Sequence, residues 1–285
     1  MLHVGRGNTT RALTIFPIWA DDSTPRSYST DTSTLTVTEH PGSATVPLLS
    51  ASHDGSAPVL VMEGHLFEGG WQHRMAQHSV LVASGHRTPV DVLCVEASRW
   101  GGAAVQHARG RRATPFVRAG AADPHGHHPD SQSEVWRRVD TYAGPADENA
   151  TRSLVRHVDA SHDDVRRLVR GLRPLPGQSG VLVGIAGQPL MLEVFDDPQT
   201  LNEQFASIIE AAGLDALGQP ALATPSRRAH RMVGRLEQLT TTRAQTRGLG
   251  RRVSAVSESV ELSALEWQGR QVHTRATNLR HPMMA

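Results

Sequence analysis

Residues Val59–Trp100 read VLVMEGHLFEGGWQHRMAQHSVLVASGHRTPVDVLCVEASRW. Two apolar runs each end on a glutamate, Glu63 and Glu96. Each glutamate is followed by an arginine and a tryptophan: Trp71 and Arg74 after the first, Arg99 and Trp100 after the second. A carboxylate at the tip of a buried strand must be paired or protonated, because an isolated ion there is too costly. The stretch therefore encodes either a buried ion-pair network or a ligand site. Its spacing predicts consecutive strands at Val59–Glu63, Ser79–Ala83 and Val90–Glu96. A glycine bend through Gly64, Gly69 and Gly70 joins the first two, and Ser84-Gly85-His86 turns the chain into the third. Val90, Val92, Cys94 and Glu96 share one face of the last strand, and Leu93, Val95 and Ala97 the other. Both faces are apolar, so this strand is expected to be covered on both sides. Cys94 then reads as a small buried hydrophobe, since a nucleophilic thiolate needs a cation or helix N-terminus beside it.

Working outward, Leu35–Thr38 and Ala44–Leu49 read as two more strands about a turn at His40-Pro-Gly-Ser. Residues 1–32 mix Gly, Asn, Thr, Ser, Asp and Pro without a sustained period and read as a disordered tail. Downstream the pattern becomes helical over Ser133–Tyr142. A second helix is expected after Ser161, with Asp163 and Asp164 in its first turn and an apolar stripe of Val165, Leu168, Val169 and Leu172. Arg166, Arg167, Arg170 and Arg173 fill much of its opposite face, which reads as a solvated surface or an anion site. Val181–Ile185 and Leu190–Phe195 flank Ala186-Gly187-Gln188 as a hairpin, followed by a helix from Thr200 to Ala212. A helix from Ser226 to Leu239 and a C-terminal strand hairpin turning at Gln268-Gly269 complete the pattern. The expected fold is α+β: a β-rich N-terminal half of mixed antiparallel sheets, with a helix/ββα second half packed against it. In domain terms this is one unit over 33–278, with sublobes 33–120 and 130–278, between tails at 1–32 and 279–285.

A chain of 285 residues can bury one large core or two ordinary ones, and a net charge of +1 gives no global field toward nucleic acid or a membrane. All 29 basic residues are arginine. That excludes chemistry needing a Schiff-base or phosphate-loop lysine. One cysteine permits no intramolecular disulfide and suits a reducing cytoplasm. No apolar run approaches the ~20 residues of a spanning helix, so a cytoplasmic protein is expected.

Chemistry-bearing motifs are sparse. EGHLFEGGWQHR can present backbone N–H groups to an anion, but it lacks the lysine and hydroxyl of a phosphate loop. Paired carboxylates can serve glycoside-type hydrolysis. Arginines beside Glu63 and Glu96 would instead keep both ionised, which favours ion pairing over a general acid. His125, His127 and His128 lie between prolines in DPHGHHPD and read as a surface insertion; no metal site and no cofactor are expected.

LVMEGHLFEGGWQHR followed by PVDVLCVEASRW resembles the signature of the ARPP family, a prokaryotic domain named for its association with ADP-ribosylglycohydrolases and rhodanese-phosphatase proteins. The matching residues are Glu63, Gly64, Gly69, Gly70, Gln72 and Arg74; Pro89, Val90, Cys94, Val95, Glu96, Arg99 and Trp100; and Gly187, Glu193 and Phe195. The chain departs at His73, where asparagine is usual, and at Ser98, where glycine is usual. The blocks span residues of about 59 to 217. The resemblance implies an accessory or binding module for an ADP-ribose-type or nucleotide-like small molecule, or for a protein partner. Ligand-binding candidates are Gly69, Gly70, Gln72, Arg74, Arg99 and Trp100. The alternative is a hydrolase using Glu63 or Glu96 as acid or base on a glycosidic or phosphoester bond.

Overall fold

The structure, a computed structural model, describes residues 1–21, 23–40, 47–121, 130–144 and 149–284. The chain forms two compact units that interleave in sequence. One comprises residues 1–26, 163–245 and 250–285; the other comprises 27–162 and 246–249. We call them the sheet unit and the barrel unit. The continuous sublobes expected from the sequence are replaced by units that each take two or more pieces of chain.

The sheet unit begins at once with β1 (Leu2–Val4), β2 (Asn8–Thr10) and β3 (Leu13–Ala20). The expected tail over 1–32 is therefore corrected: most of its first twenty residues are paired strand. Pro17 obscured this, because a proline reads as a strand breaker. Here β1 pairs Ile18–Ala20 and β2 pairs Leu13–Ile15, leaving Pro17 opposite the crossing between them. The Pro17 carbonyl accepts from Gly5 N at 2.9 Å, so its nitrogen faces that same crossing and the ladder to the next strand needs no N–H from it.

The barrel unit follows. Its first strands are β4 (Thr36–Glu39), β5 (Leu48–Ser52), β6 (Val59–Val61), β7 (His65–Gly69) and β8 (Arg74–Ala76). Then come β9 (Val80–Val82), β10 (Thr88–Cys94) and β11 (Val105–Arg112). Helices α1 (Pro115–Ala119), α2 (Ser131–Asp140) and α3 (Leu154–Ala160) end the unit. Six strands close a barrel in the order β10-β5-β4-β11-β7-β8, and β6 pairs β9 as a separate ribbon. The expected glycine bend contains a strand of its own, β7. β11 escaped the sequence reading because VQHARGRR is largely exposed and carries no alternation. Ser161 closes α3 and directly precedes the expected helix, which begins at His162.

β10 is covered on both faces as its composition predicts. Val90 and Val92 join Val37, Leu49, Phe67 and Ala76 in one core, while Leu93 joins Leu66, Met75, Val117, Val135 and Val139 in another. The alternation sends neighbouring side chains of one strand into two different cores.

The remaining chain returns to the sheet unit: α4 (His162–Val169), β12 (Gly180–Ile185), β13 (Gln188–Phe195), α5 (Pro198–Ala216) and α6 (Ser226–Leu236). The last strands are β14 (Thr242–Gln245), β15 (Arg251–Val256), β16 (Val260–Trp267) and β17 (Arg270–Asn278). The nine strands pair antiparallel in the order β1-β3-β12-β13-β17-β16-β15-β14, with β2 also on β3. Ala186 and Gly187 take φ of 48° and 83°, the two positive values a tight two-residue hairpin demands. Phe16, Ile18, Leu182 and Leu192 share a core with Ala229, Met232 and Val233 of α6. The end read as a tail holds His281, buried and bonded to the Ile185 carbonyl at 3.1 Å.

Phe16→Ala, in the segment expected to be loose, should destabilise the sheet unit by about 3–5 kcal/mol. Urea unfolding followed by far-ultraviolet circular dichroism measures this; a change below 1 kcal/mol, by the same scale of core truncations, would place Phe16 outside the core.

Candidate functional site

Six of the sequence-predicted residues, Gly69, Gly70, Gln72, Arg74, Glu96 and Arg99, come together at the barrel strands. Register does this: β10 pairs β8 with Cys94 opposite Arg74, and β11 pairs β7 with Gln106 opposite Gly69. Arg74 is 2 % exposed. Its Nη1 donates to Gln72 Oε1 at 2.6 Å and lies against Cys94 Sγ, and its Nη2 is 3.8 Å from Glu39 Oε2. Glu39 Oε1 accepts from Trp71 N and from Gln106 Nε2, both at 3.1 Å. Gln72 is fully buried and its Nε2 donates to the Glu96 carbonyl at 2.9 Å. Gln132 closes the network through a two-way amide pair with the Cys94 backbone, 2.8 Å in each direction.

Glu96 and Arg99 form the second half. Arg99 Nε and Nη2 donate to Glu96 Oε2 at 3.0 and 2.7 Å. The same guanidinium donates to the Gly70 carbonyl at 2.7 Å and the Gly69 carbonyl at 3.0 Å. His73 N adds a bond to Glu96 Oε2 at 3.0 Å. Burial alone would raise the Glu96 pKa; the bonds from Arg99 and His73 outweigh it and hold the carboxyl below its usual 4.5.

Gly69 and Gly70 take φ of 104° and 54°, and a Cβ on Gly70 would meet Gln106 Nε2 at 1.9 Å. Glycine is required there, as the sequence implied. The backbone N–H groups of this turn, which could have met an anion, are bonded within the protein. Gly69 N donates to His73 Nδ1 at 3.0 Å, Gly70 N to the Val105 carbonyl at 2.9 Å, and Trp71 N to Glu39. All three donors an anion would need are spent inside the protein.

Glu63 belongs to a different group. Its Oε1 lies 3.6 Å from Arg118 Nε, and its carbonyl accepts from Arg112 Nη2 at 2.7 Å. Arg118, like Glu63, is buried. Gly64 makes room: with φ of 79°, any Cβ there would strike Arg118 Cδ at 2.4 Å. The partner is thus Arg118 of α1, not Arg74. Nearby His65 is fully enclosed, and desolvation followed by the charge of Arg112 lowers its pKa to about 3, so it stays neutral. Burial pushes the Cys94 thiol up to about 11 despite Arg74, which leaves it a poor nucleophile.

The structure gathers Gly69, Gly70, Gln72, Arg74, Glu96 and Arg99 into one network, with Glu63 in another. Trp100 stands outside both, 61 % exposed. The histidine tract at 125–128 lies outside the described residues; among those described, no group of three potential ligands is placed to hold a metal ion. Sequence reasoning missed Glu39, Gln106, Arg112, Arg118 and Gln132. Only Arg118 carried a local signal, an arginine inside the apolar stretch PFVRA. The described residues contain no helix long and apolar enough to cross a membrane.

The sequence signature of one known family, described as the ARG and Rhodanese-Phosphatase-superfamily-associated Protein domain, matches residues 1–277. No curated protein and no solved structure matches the chain.

Two outcomes follow from this geometry. His73→Asn should be tolerated, because an amide oxygen can accept from Gly69 N as Nδ1 does, whereas His73→Leu strands that donor and should cost about 1–3 kcal/mol. Chemical denaturation of the two variants distinguishes them; equal losses would contradict the assigned bond. A carboxyl held below its usual pKa stabilises the fold above that value and loses the contribution as pH falls through the lowered one. Stability of the wild type should therefore decline below about pH 4.5, the Glu96 reference value, more steeply than that of Glu96→Gln. Parallel slopes in denaturant titrations would remove the ion pair from the account.

Proposed function

The chain belongs to the ARG and Rhodanese-Phosphatase-superfamily-associated Protein domain family, and we propose that it acts as an accessory or binding module rather than as a hydrolase. Its ligand on this reading is a nucleotide-like or ADP-ribose-type anion, or a protein partner. One observation carries the reading: both candidate acid/base residues are spent as counterions. Glu96 is sealed under Arg99, and Glu63 is buried with Arg118 beside it. A general acid needs a carboxyl pKa raised toward the working pH and a path to substrate. Glu96 is shifted in the opposite direction.

The same geometry gives the motif a job. Arg99, Glu96, Arg74 and Gln72 lock the turn at Gly69-Gly70 to β10 and β11. Recognition then falls to surfaces that this locked frame leaves exposed. Trp100 projects from the frame directly after Arg99 and is one such group.

Isothermal titration of the folded protein with ADP-ribose and NAD should give heat with at least one, and glycosidic or phosphoester substrates should show no turnover. Turnover that disappears in folded Glu63→Gln or Glu96→Gln would overturn the proposal in favour of the hydrolase.

A further inference from the structure

The arginine face singled out in the sequence borders an open groove of about 740 Å³ in the sheet unit, beside α4 and α5. Arg166 of α4 and Arg170 just after it are one helical turn apart, so they share a side. Arg173 follows a turn at Gly171, where φ is 82°. All three are exposed and line the groove. Arg167 is turned to Asp164 within the helix. Among the described residues, Arg166, Arg170 and Arg173 have no carboxylate partner. This separates them from the guanidinium groups of Arg74, Arg99 and Arg118, each of which has a glutamate near it.

Part of the lining is apolar. Phe205 and Ile209, one turn apart on α5 and 5 % and 2 % exposed, form this apolar wall together with Leu172. α4 is held against α5 at Gly213, where a Cβ would approach Val165 Cγ1 at 3.0 Å and Val169 Cγ1 at 3.1 Å. Arginines near a helix C-terminus also complement its dipole. That effect fades within the last turn, and so accounts neither for Arg173 beyond the helix nor for the apolar wall. The volume falls within the roughly 300–1,000 Å³ of small-ligand sites. Three unpaired guanidinium forks favour phosphate oxygens, and the apolar wall favours a flat or greasy group.

We propose that this groove binds a small organic diphosphate, with Arg166, Arg170 and Arg173 on the phosphates and the organic group against the wall of Phe205, Ile209 and Leu172. The proposal rests on the binding-module reading and gives its anionic ligand a place, apart in sequence from the first two motif blocks. Asp163, Asn202 and Glu210 also line the groove. They offer hydrogen-bond acceptors suited to hydroxyl groups, and the two carboxylates disfavour a further phosphate beside them.

The test is isothermal titration of the full chain with ADP, pyrophosphate and adenosine. The variants are Arg170→Gln, Arg170→Gln/Arg173→Gln, and Arg231→Gln as an exposed control on α6. ADP should bind best, pyrophosphate more weakly, and adenosine without measurable heat. The double variant should lose at least tenfold in ADP affinity while its circular dichroism and the control's affinity stay unchanged; raising the salt concentration should weaken wild-type binding. Absence of heat with both ADP and pyrophosphate overturns the proposal. Wild-type binding that survives in the double variant also overturns it, while leaving the binding-module reading intact. Heat with a poly-glutamate peptide and none with ADP overturns it in favour of an acidic protein partner. Hydrolysis lost in Glu63→Gln would instead strike the binding-module reading and not the groove.

Discussion

A single guanidinium organises the motif end of the barrel. Arg99 spans the carboxylate of Glu96 and the carbonyls of Gly69 and Gly70, four bonds from three nitrogens. A lysine has three donors on one atom and cannot spread them over such a span. Removing the arginine would leave a buried carboxylate and two carbonyls short of donors, and leaving such groups unpaired is strongly destabilising. The double glycine, the buried glutamine and the second arginine follow from this clamp. The turn must approach closely enough for its carbonyls to be reached, and Gln106 then fills the space a Cβ on Gly70 would need.

Seen this way, the motif is a device for closing a barrel with polar residues. Arg74, buried and between Gln72, Cys94 and Glu39, has no freedom to meet a ligand. Cys94 contributes bulk and a thiol that stays protonated. The two glutamates stranded at strand ends each lie beside a guanidinium, Glu96 with Arg99 and Glu63 with Arg118. The exposed arginines of the sheet unit do the reverse: they line an open groove, and among the described residues none of Arg166, Arg170 and Arg173 is paired with a carboxylate.

Several elements were legible because their signals are local. The run PVDVLCVE announces a strand buried on both sides, Ala186-Gly187 announces a tight turn, and the stripe of Phe205, Ile208 and Ile209 announces α5. The pairing of Glu96 with Arg99, three residues apart, was readable for the same reason. Partners brought together by register were not. Glu39 reaches Arg74 only because β4 and β8 enter one closed barrel, and Arg118 reaches Glu63 only because α1 follows β11 back over β7. β1 and β2 are three residues each, too short to show a period, and the meaning of Pro17 depends on a crossing invisible in one strand's sequence.

The most direct test of the clamp is the ionisation of Glu96 itself. A carbon-13 side-chain titration by nuclear magnetic resonance, assigned with Glu96→Gln, should place its midpoint below the ordinary carboxyl value of 4.5. A midpoint raised to about 6 or above, where tuned catalytic carboxyls titrate, would contradict the account and return Glu96 to the role of general acid.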